Sequence, residues 1–185
     1  VDSVALVEEI VKEENIDCGF ARTGHLLAAN KPKHYDALKG EVDFMAKEFN
    51  HNVRLVSPKD LRSEIGTDVY HGALVDEVSG GLNPAQYVAG LAGAATRAGA
   101  TLCARARVTK LARSLNRFLI QTERGNLEAE KVLVGTSGYT GSVTKKLRRK
   151  IIPIGSFIIA TERLSDELAH ELSPKNRMIF DSMHY

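Results

Sequence analysis

Apolar positions recur at helical spacing in several stretches of the chain. Val4, Val7, Ile10 and Val11 fall on one side of residues 3–15, which predicts an amphipathic helix. Behind Pro32, the series Tyr35, Leu38, Val42, Met45 and Phe49 predicts a second helix ending near Asn50. Ser57-Pro58-Lys59-Asp60 has the capping residue, the first-position proline and the acid of a helix start, and that short helix stops at Gly66. A longer helix opens at Asn83-Pro84, with Gln86 placed to close a capping box and Tyr87, Leu91, Ala94, Ala95 and Ala98 as a narrow apolar face. Leu164 to Leu172 predicts one more.

Between these lie stretches of strand character. Ile16 to Ala29 reads as a strand bent at Thr23-Gly24, followed by strands at Val53–Val56 and Tyr70–Val75. Thr101–Ala104 and Arg107–Ala112 come next. Arg117–Glu123 then turns at Arg124-Gly125-Asn126 and returns through Leu127–Ala129 as a hairpin. Lys131–Val134 is a short apolar strand, Pro153–Thr161 is apolar almost throughout and so reads as buried on both faces, and Met178–Asp181 begins another.

The alternation of helix and strand predicts a mixed α+β or α/β fold. Composition turns small at Ser79-Gly80-Gly81, and a domain crossing is expected there. Residues 1–76 and 151–185 are expected to form one mixed-sheet domain, with 77–150 forming a separate lobe.

Composition narrows the classes. Net charge is +2, too small to argue for nucleic acid, and the basic run Lys145–Lys150 lacks the interleaved aromatics that single strands need. It reads as a solvated helix end. No apolar run approaches the ~20 residues that span a bilayer, and no secretory pattern opens the chain, so no membrane partner and a cytoplasmic location are expected. Cys18 and Cys103 are far apart without Cys-x-x-Cys spacing, which predicts two packed thiols and no disulfide. The six histidines show no metal spacing, and Ser137 is not a nucleophile elbow because Tyr139 stands where glycine is required.

The stretch with most to say about chemistry is Val108 to Gly141. A hairpin feeds the strand Lys131–Val134, which breaks abruptly at Gly135-Thr136-Ser137-Gly138. Small residues at the carboxyl end of a strand let a ligand lie against bare backbone, as nucleotides do in open α/β sheets. Read alone, the same residues also suit an ordinary strand-to-loop exit.

The stretch resembles the flavin-dependent amine and amino-acid oxidoreductases related to D-amino-acid oxidase and sarcosine oxidase, and within them the bacterial γ-glutamylputrescine oxidoreductase group. The resemblance rests on Val108–Leu111 and on Val132–Thr140, and continues through Gly80–Tyr87 and Pro153–Glu162. It implies a partial FAD/NAD(P)-binding Rossmann-like lobe joined to a mixed-sheet substrate-binding domain, with FAD as cofactor. It also implies that the chain is the middle of a longer protein. The Gly-x-Gly-x-x-Gly turn would lie before Val1, and the flavin-ring contacts would lie after Tyr185.

Cofactor contacts are implied at Arg107, Val108, Thr136, Ser137, Gly138 and Tyr139. Gly138 leads them, because a side chain there would push the backbone off the ligand, and Val108 would contribute backbone groups. Ser156 and Thr161 are the polar candidates on the floor of a substrate cavity, and His184 borders it. The implied reaction oxidises the C–N bond of a small-molecule amine or amino acid, γ-glutamylputrescine-like, with hydride passing to flavin. No catalytic side chain stands out. Two other readings remain at this point: a non-catalytic binding module that keeps the fold, and a nicotinamide-binding domain, for which the sequence lacks its own Gly-x-Gly-x-x-Gly. By itself the chain is expected to be inactive and to pair as a homodimer through an exposed sheet edge.

Overall fold

The computed structural model describes residues 2–183. The chain divides into two compact units, Val1–Ala100 with Thr161–Tyr185, and Thr101–Ala160. The fold is mixed α and β, with one mixed and one antiparallel sheet.

The first unit opens with helix α1 (Asp2–Glu13), followed by β1 (His25–Ala28), helix α2 (Pro32–Phe49), β2 (Arg54–Val56) and β3 (Ala73–Asp76). Helix α3 (Pro84–Arg97) closes its first part. The sheet order is β2-β3-β1-β7, where β7 is Met178–Asp181. β1 runs antiparallel to β3 and parallel to β7, so two distant parts of the chain share this sheet.

Alternation along the strands separates two faces. Leu26, Ala28, Ala73, Val75 and Val56 point to one side and are buried with Leu61 and Ile65. Leu74 points to the other, where Leu38 and Tyr35 of α2 cover it together with Leu27 and Leu55. That helix starts at Pro32, whose fixed φ suits the first turn, and ends where Asn50 takes a left-handed conformation and its N–H reaches Met45 O. At α3, Asn83 Oδ1 accepts from the amides of Ala85 and Gln86, satisfying donors that the helix leaves unpaired.

The second unit is built on a three-stranded antiparallel meander: β4 (Val108–Ser114), β5 (Arg117–Thr122) and β6 (Gly125–Ala129). A register shift lies between Val108 and Lys110. Gly125 takes φ +149, and Thr122 Oγ1 donates to its carbonyl at 2.8 Å, which closes the turn. The short helix α4 (Lys145–Arg148) carries the basic run, all of it exposed. Helix α5 (Asp166–Leu172) belongs to the first unit, with Ser165 as its cap.

Several expectations are corrected. The strand expected over 16–29 survives only as β1, because Gly19 and Gly24 turn the backbone with φ of +60 and +72. The helix expected after Ser57 is a turn leading to a 3-10 helix at Leu61–Ser63. Thr101–Ala104, Lys131–Val134 and Pro153–Thr161 form no strand, since no strand lies alongside to take up their backbone hydrogen bonds. Cys103 is exposed and not packed, while Cys18 is buried; both are free thiols. The compact units divide after Ala100 and after Ala160, while the expected domains run 1–76, 77–150 and 151–185. Among the described residues, no helix is long and apolar enough to cross a membrane.

Candidate functional site

The pairing register of the meander builds the wall of a cleft. Leu111 on β4 lies opposite Ile120 on β5, and Ile120 lies opposite Leu127 on β6. Residues directly opposite in antiparallel strands project to one face, so the three aliphatic side chains form one row. They line a cleft of about 720 Å³, together with Arg107, Val108, Val132, Val134, Gly135, Thr136, Tyr139 and Ser142.

The polar end of the cleft is the strand exit. Thr136 Oγ1 and Thr140 Oγ1 are 2.7 Å apart, and Thr140 Oγ1 donates to Ser137 O at 2.6 Å. The Tyr139 amide donates to Thr136 O at 2.9 Å, closing the short 3-10 turn Ser137–Tyr139. Arg107 is the cation of the lining, and Glu123 holds it through a charged pair at 2.7 Å. A Cβ built on Gly135, Gly138 or Gly141 would meet nothing within 4 Å. The backbone there stands open, as a ligand lying against it would require.

Of the expected cofactor residues, Arg107, Val108, Thr136 and Tyr139 line this one cleft. Ser137 and Gly138 lie in the turn between Thr136 and Tyr139 and are not part of the lining. Ser156 and Thr161 are exposed, outside any helix or strand, and are not among the residues that line this cleft; Thr161 Oγ1 donates to the neighbouring Glu162 carbonyl. That segment buries none of its large apolar side chains, Phe157 being 96% exposed. His184 falls outside the described residues.

Sequence reading missed the Leu111–Ile120–Leu127 row, although the alternation of Phe118, Ile120 and Thr122 along β5 carried the signal. It also missed two polar clusters in the first unit. Glu64, buried in the core, receives Arg54, Lys175 and Arg177. Asp76 accepts from His51 at 2.9 Å and from the Val78 amide at 2.8 Å, and His25 Nδ1 lies 2.8 Å from Ser79 Oγ. Burial pushes the Asp76 carboxyl upward, but the Val78 amide and His51 outweigh it and hold the group below the usual range. No spacing along the chain announces either cluster, because its members come from separate elements.

An aliphatic row facing a hydroxyl- and glycine-rich exit fits the flat, apolar face and the polar linkage of a flavin dinucleotide. Arg107, Val108, Thr136 and Tyr139 are the residues that would hold it.

Comparison with known proteins agrees with that fit. The family model for FAD dependent oxidoreductases (DAO) matches residues 1–185. γ-Glutamylputrescine oxidoreductase of Escherichia coli (strain K12) is 30% identical over 95% of this chain and 41% of its own length. A probable oxidoreductase, OrdL, of Haemophilus influenzae is 26% identical over 98% of this chain and 43% of its own. The chain thus spans well under half the length of these relatives. Glycine oxidase from Geobacillus kaustophilus shares the fold, with a TM-score of 0.68 at 21% identity, over 77% of this chain and 39% of that one. The chain belongs to the family of FAD-dependent oxidoreductases.

Proposed function

We propose that this chain is part of a flavoenzyme that oxidises the C–N bond of an amine or amino acid to an imine. The observation that carries the reading is the Leu111–Ile120–Leu127 row facing the Gly135–Tyr139 exit, in a chain of this family. Bound FAD would supply the hydride acceptor, which no protein side chain provides. The aliphatic row would exclude water from one face of the cofactor. The exit backbone, with Thr136, would receive its polar linkage, and Arg107 would add positive charge at the same end. No general base is required beyond what leaves the amine neutral, and no residue of this chain is assigned that role.

The substrate class proposed is a small primary or secondary amine carrying a γ-glutamyl group, by analogy with the Escherichia coli relative. Ser156, Thr161 and His184 are proposed on the substrate side, in a cytoplasmic protein whose exposed sheet edge pairs two copies.

The test is expression of the complete open reading frame that contains this chain. Flavin is assayed per polypeptide, and anaerobic bleaching of its visible absorbance is followed with γ-glutamylputrescine, glycine, sarcosine and D-alanine. Bleaching with the glutamylated amine and not with the others supports the reading. A colourless protein, or a yellow one that no amine bleaches, overturns it. The 185-residue chain by itself is expected to lose FAD on gel filtration. It lacks the Gly-x-Gly-x-x-Gly helix start for the pyrophosphate and the acid for the ribose that the family resemblance implies, and losing two charge-assisted contacts of ~1.5–3 kcal/mol each weakens binding by roughly two to four orders of magnitude.

A further inference from the structure

Residues 161–183 join the first unit in an unusual way. β7 is an edge strand with all four residues exposed, and α5 has no buried residue. Arg177 is the only buried residue among the described residues of this segment. The segment is therefore anchored in the core by a charge and not by apolar side chains.

That anchor is a network drawn from separate parts of the unit. Arg177 Nε donates to Glu64 Oε2 at 2.7 Å, and its two terminal nitrogens donate to Glu77 at 2.6 and 2.9 Å. Arg177 Nη1 also donates to Thr23 O at 2.7 Å. Glu64 receives Lys175 at 2.7 Å and Arg54 of β2 at 2.5 Å, and Arg54 also reaches Glu77 at 3.0 Å. These are the charged groups that face Glu64; on the same 3-10 element, Arg62 turns outward to Asp68. The other attachments of the segment lie mostly at the sheet edge: the parallel β1–β7 pairing, His34 Nδ1 at 2.6 Å from Ser182 Oγ, the Tyr70 hydroxyl donating to Asp181 at 3.5 Å, the His25–Phe180 ring contact, and further hydrogen bonds. Gly66 N–H donates to Leu172 O, Ser182 N–H to Ala28 O, and the Asn30 amide to Ser182 Oγ, each at 2.9 Å.

We infer that residues 161–183 form a detachable strap on the β1 edge, latched by Glu64 and Arg177, and that neutralising Glu64 releases the strap while β1–β3 and α2 stay folded. Without the Glu64 charge, Arg177 keeps the Thr23 carbonyl and Glu77, whose side chain is 53% exposed. A buried guanidinium left with a solvated partner regains more by returning to water than it keeps inside. The strap has little apolar surface to resist that, whereas β1 and β3 are fixed by Leu26, Ala73 and Val75. Local opening follows the elements with least apolar burial. Glu64 is held at about 2: burial raises it, and the hydrogen bonds from Lys175, Arg54 and Arg177 overcome that. Acid is thus the natural trigger. The inference concerns the first unit and does not depend on the cofactor reading.

Amide hydrogen exchange on the 185-residue chain tests it, with rates corrected for intrinsic exchange. In Glu64→Gln at pH 7, amides of Met178–Ser182 should exchange at least about a hundredfold faster, while those of Leu74 and Val75 keep their protection. Asp68→Asn, which breaks the exposed Arg62 pair, should change neither set. In the unsubstituted chain, acidification from pH 5 toward 2 should release Met178–Ser182 first. This arm decides the matter should the Gln variant fail to fold. Equal loss at β3 and β7, in the variant or in acid, would make the network part of one cooperative core and overturn the strap. Unchanged protection at Met178–Ser182 would overturn the latch.

Discussion

A Cβ placed on Gly24 would stand 2.4 Å from Nη1 of Arg177 and 2.6 Å from the Asp76 carbonyl. Gly24 also has φ +72, so the position excludes a side chain on two separate grounds. The bare backbone at the entrance to β1 is what lets the Arg177 guanidinium reach the Thr23 carbonyl.

Gly24→Ala should therefore destabilise the chain well beyond the conformational cost alone. Gly19 has φ +60 with nothing within 4 Å of its would-be Cβ, so Gly19→Ala reports that cost by itself, ~1–2 kcal/mol. Urea midpoints of the two variants separate the contributions. Gly24→Ala should exceed Gly19→Ala by at least ~1 kcal/mol; equal values would mean that Arg177 moves aside freely.

Helix α3 offers a matched pair of glycines. A Cβ on Gly90 would stand 2.3 Å from Ile16 Cγ2, whereas one on Gly93 would meet only the guanidinium of Arg97, at an ordinary contact distance of 3.5 Å. Gly93→Ala should stabilise by ~0.5–1 kcal/mol through helix propensity. Gly90→Ala should lose that gain or reverse it, because Ile16 is buried and its backbone is fixed by the Val11 carbonyl. Thermal melts of both variants suffice, and equal stabilisation would show that α3 slides off Ile16 at no cost.

The acid limb of stability should be steep. Glu64 has its carboxyl lowered from 4.5 to about 2 on folding, so its contribution is fully present above about 4.5 and is lost as pH falls toward 2. The gap corresponds to roughly 3 kcal/mol. Asp76 and Glu77 are lowered as well and add with the same sign. Urea midpoints followed by circular dichroism at pH 7, 5 and 3 should fall mainly across the last interval. In Glu64→Gln the midpoint should start lower at pH 7 and change less on acidification.

Gly138 lies in the turn beside the cleft and outside its lining, so the proposed cofactor contact there can be separated from its part in the fold. No atom lies within 4 Å of a Cβ there and its φ is not positive, so Gly138→Val should shift chain stability by no more than ~0.5 kcal/mol. In the complete flavoprotein the same change should lower flavin content after gel filtration, because the branched side chain would occupy the space beside the exposed backbone. Normal flavin loading would reduce Gly138 to a loop residue.

Much of the candidate site was legible before folding. The Gly135–Gly141 exit pointed to the cleft, and Arg107, Val108, Thr136 and Tyr139 meet in it. Leu111 and Leu127 were not legible as lining, because their shared face depends on the register of two separate strand pairings. Pro153–Thr161 shows the converse. Its apolar run announced a buried strand, yet a strand exists only where a neighbour accepts its backbone bonds, and none is paired with it here.

What the sequence determined by itself is whatever neighbours along the chain decide. The stripe on α2, the Asn83-Pro84 start of α3 and the turn at Gly125 follow from side-chain spacing, capping groups and backbone freedom, which act over a few residues. The tertiary structure alone decided that β7 lies parallel to β1 and that Glu64 is buried among Arg54, Lys175 and Arg177. Glu64 and Arg177 stand more than a hundred positions apart, at 113 residues. A lone Glu or Arg in sequence reads as surface, and only the approach of its partners offsets the cost of taking its charge out of water.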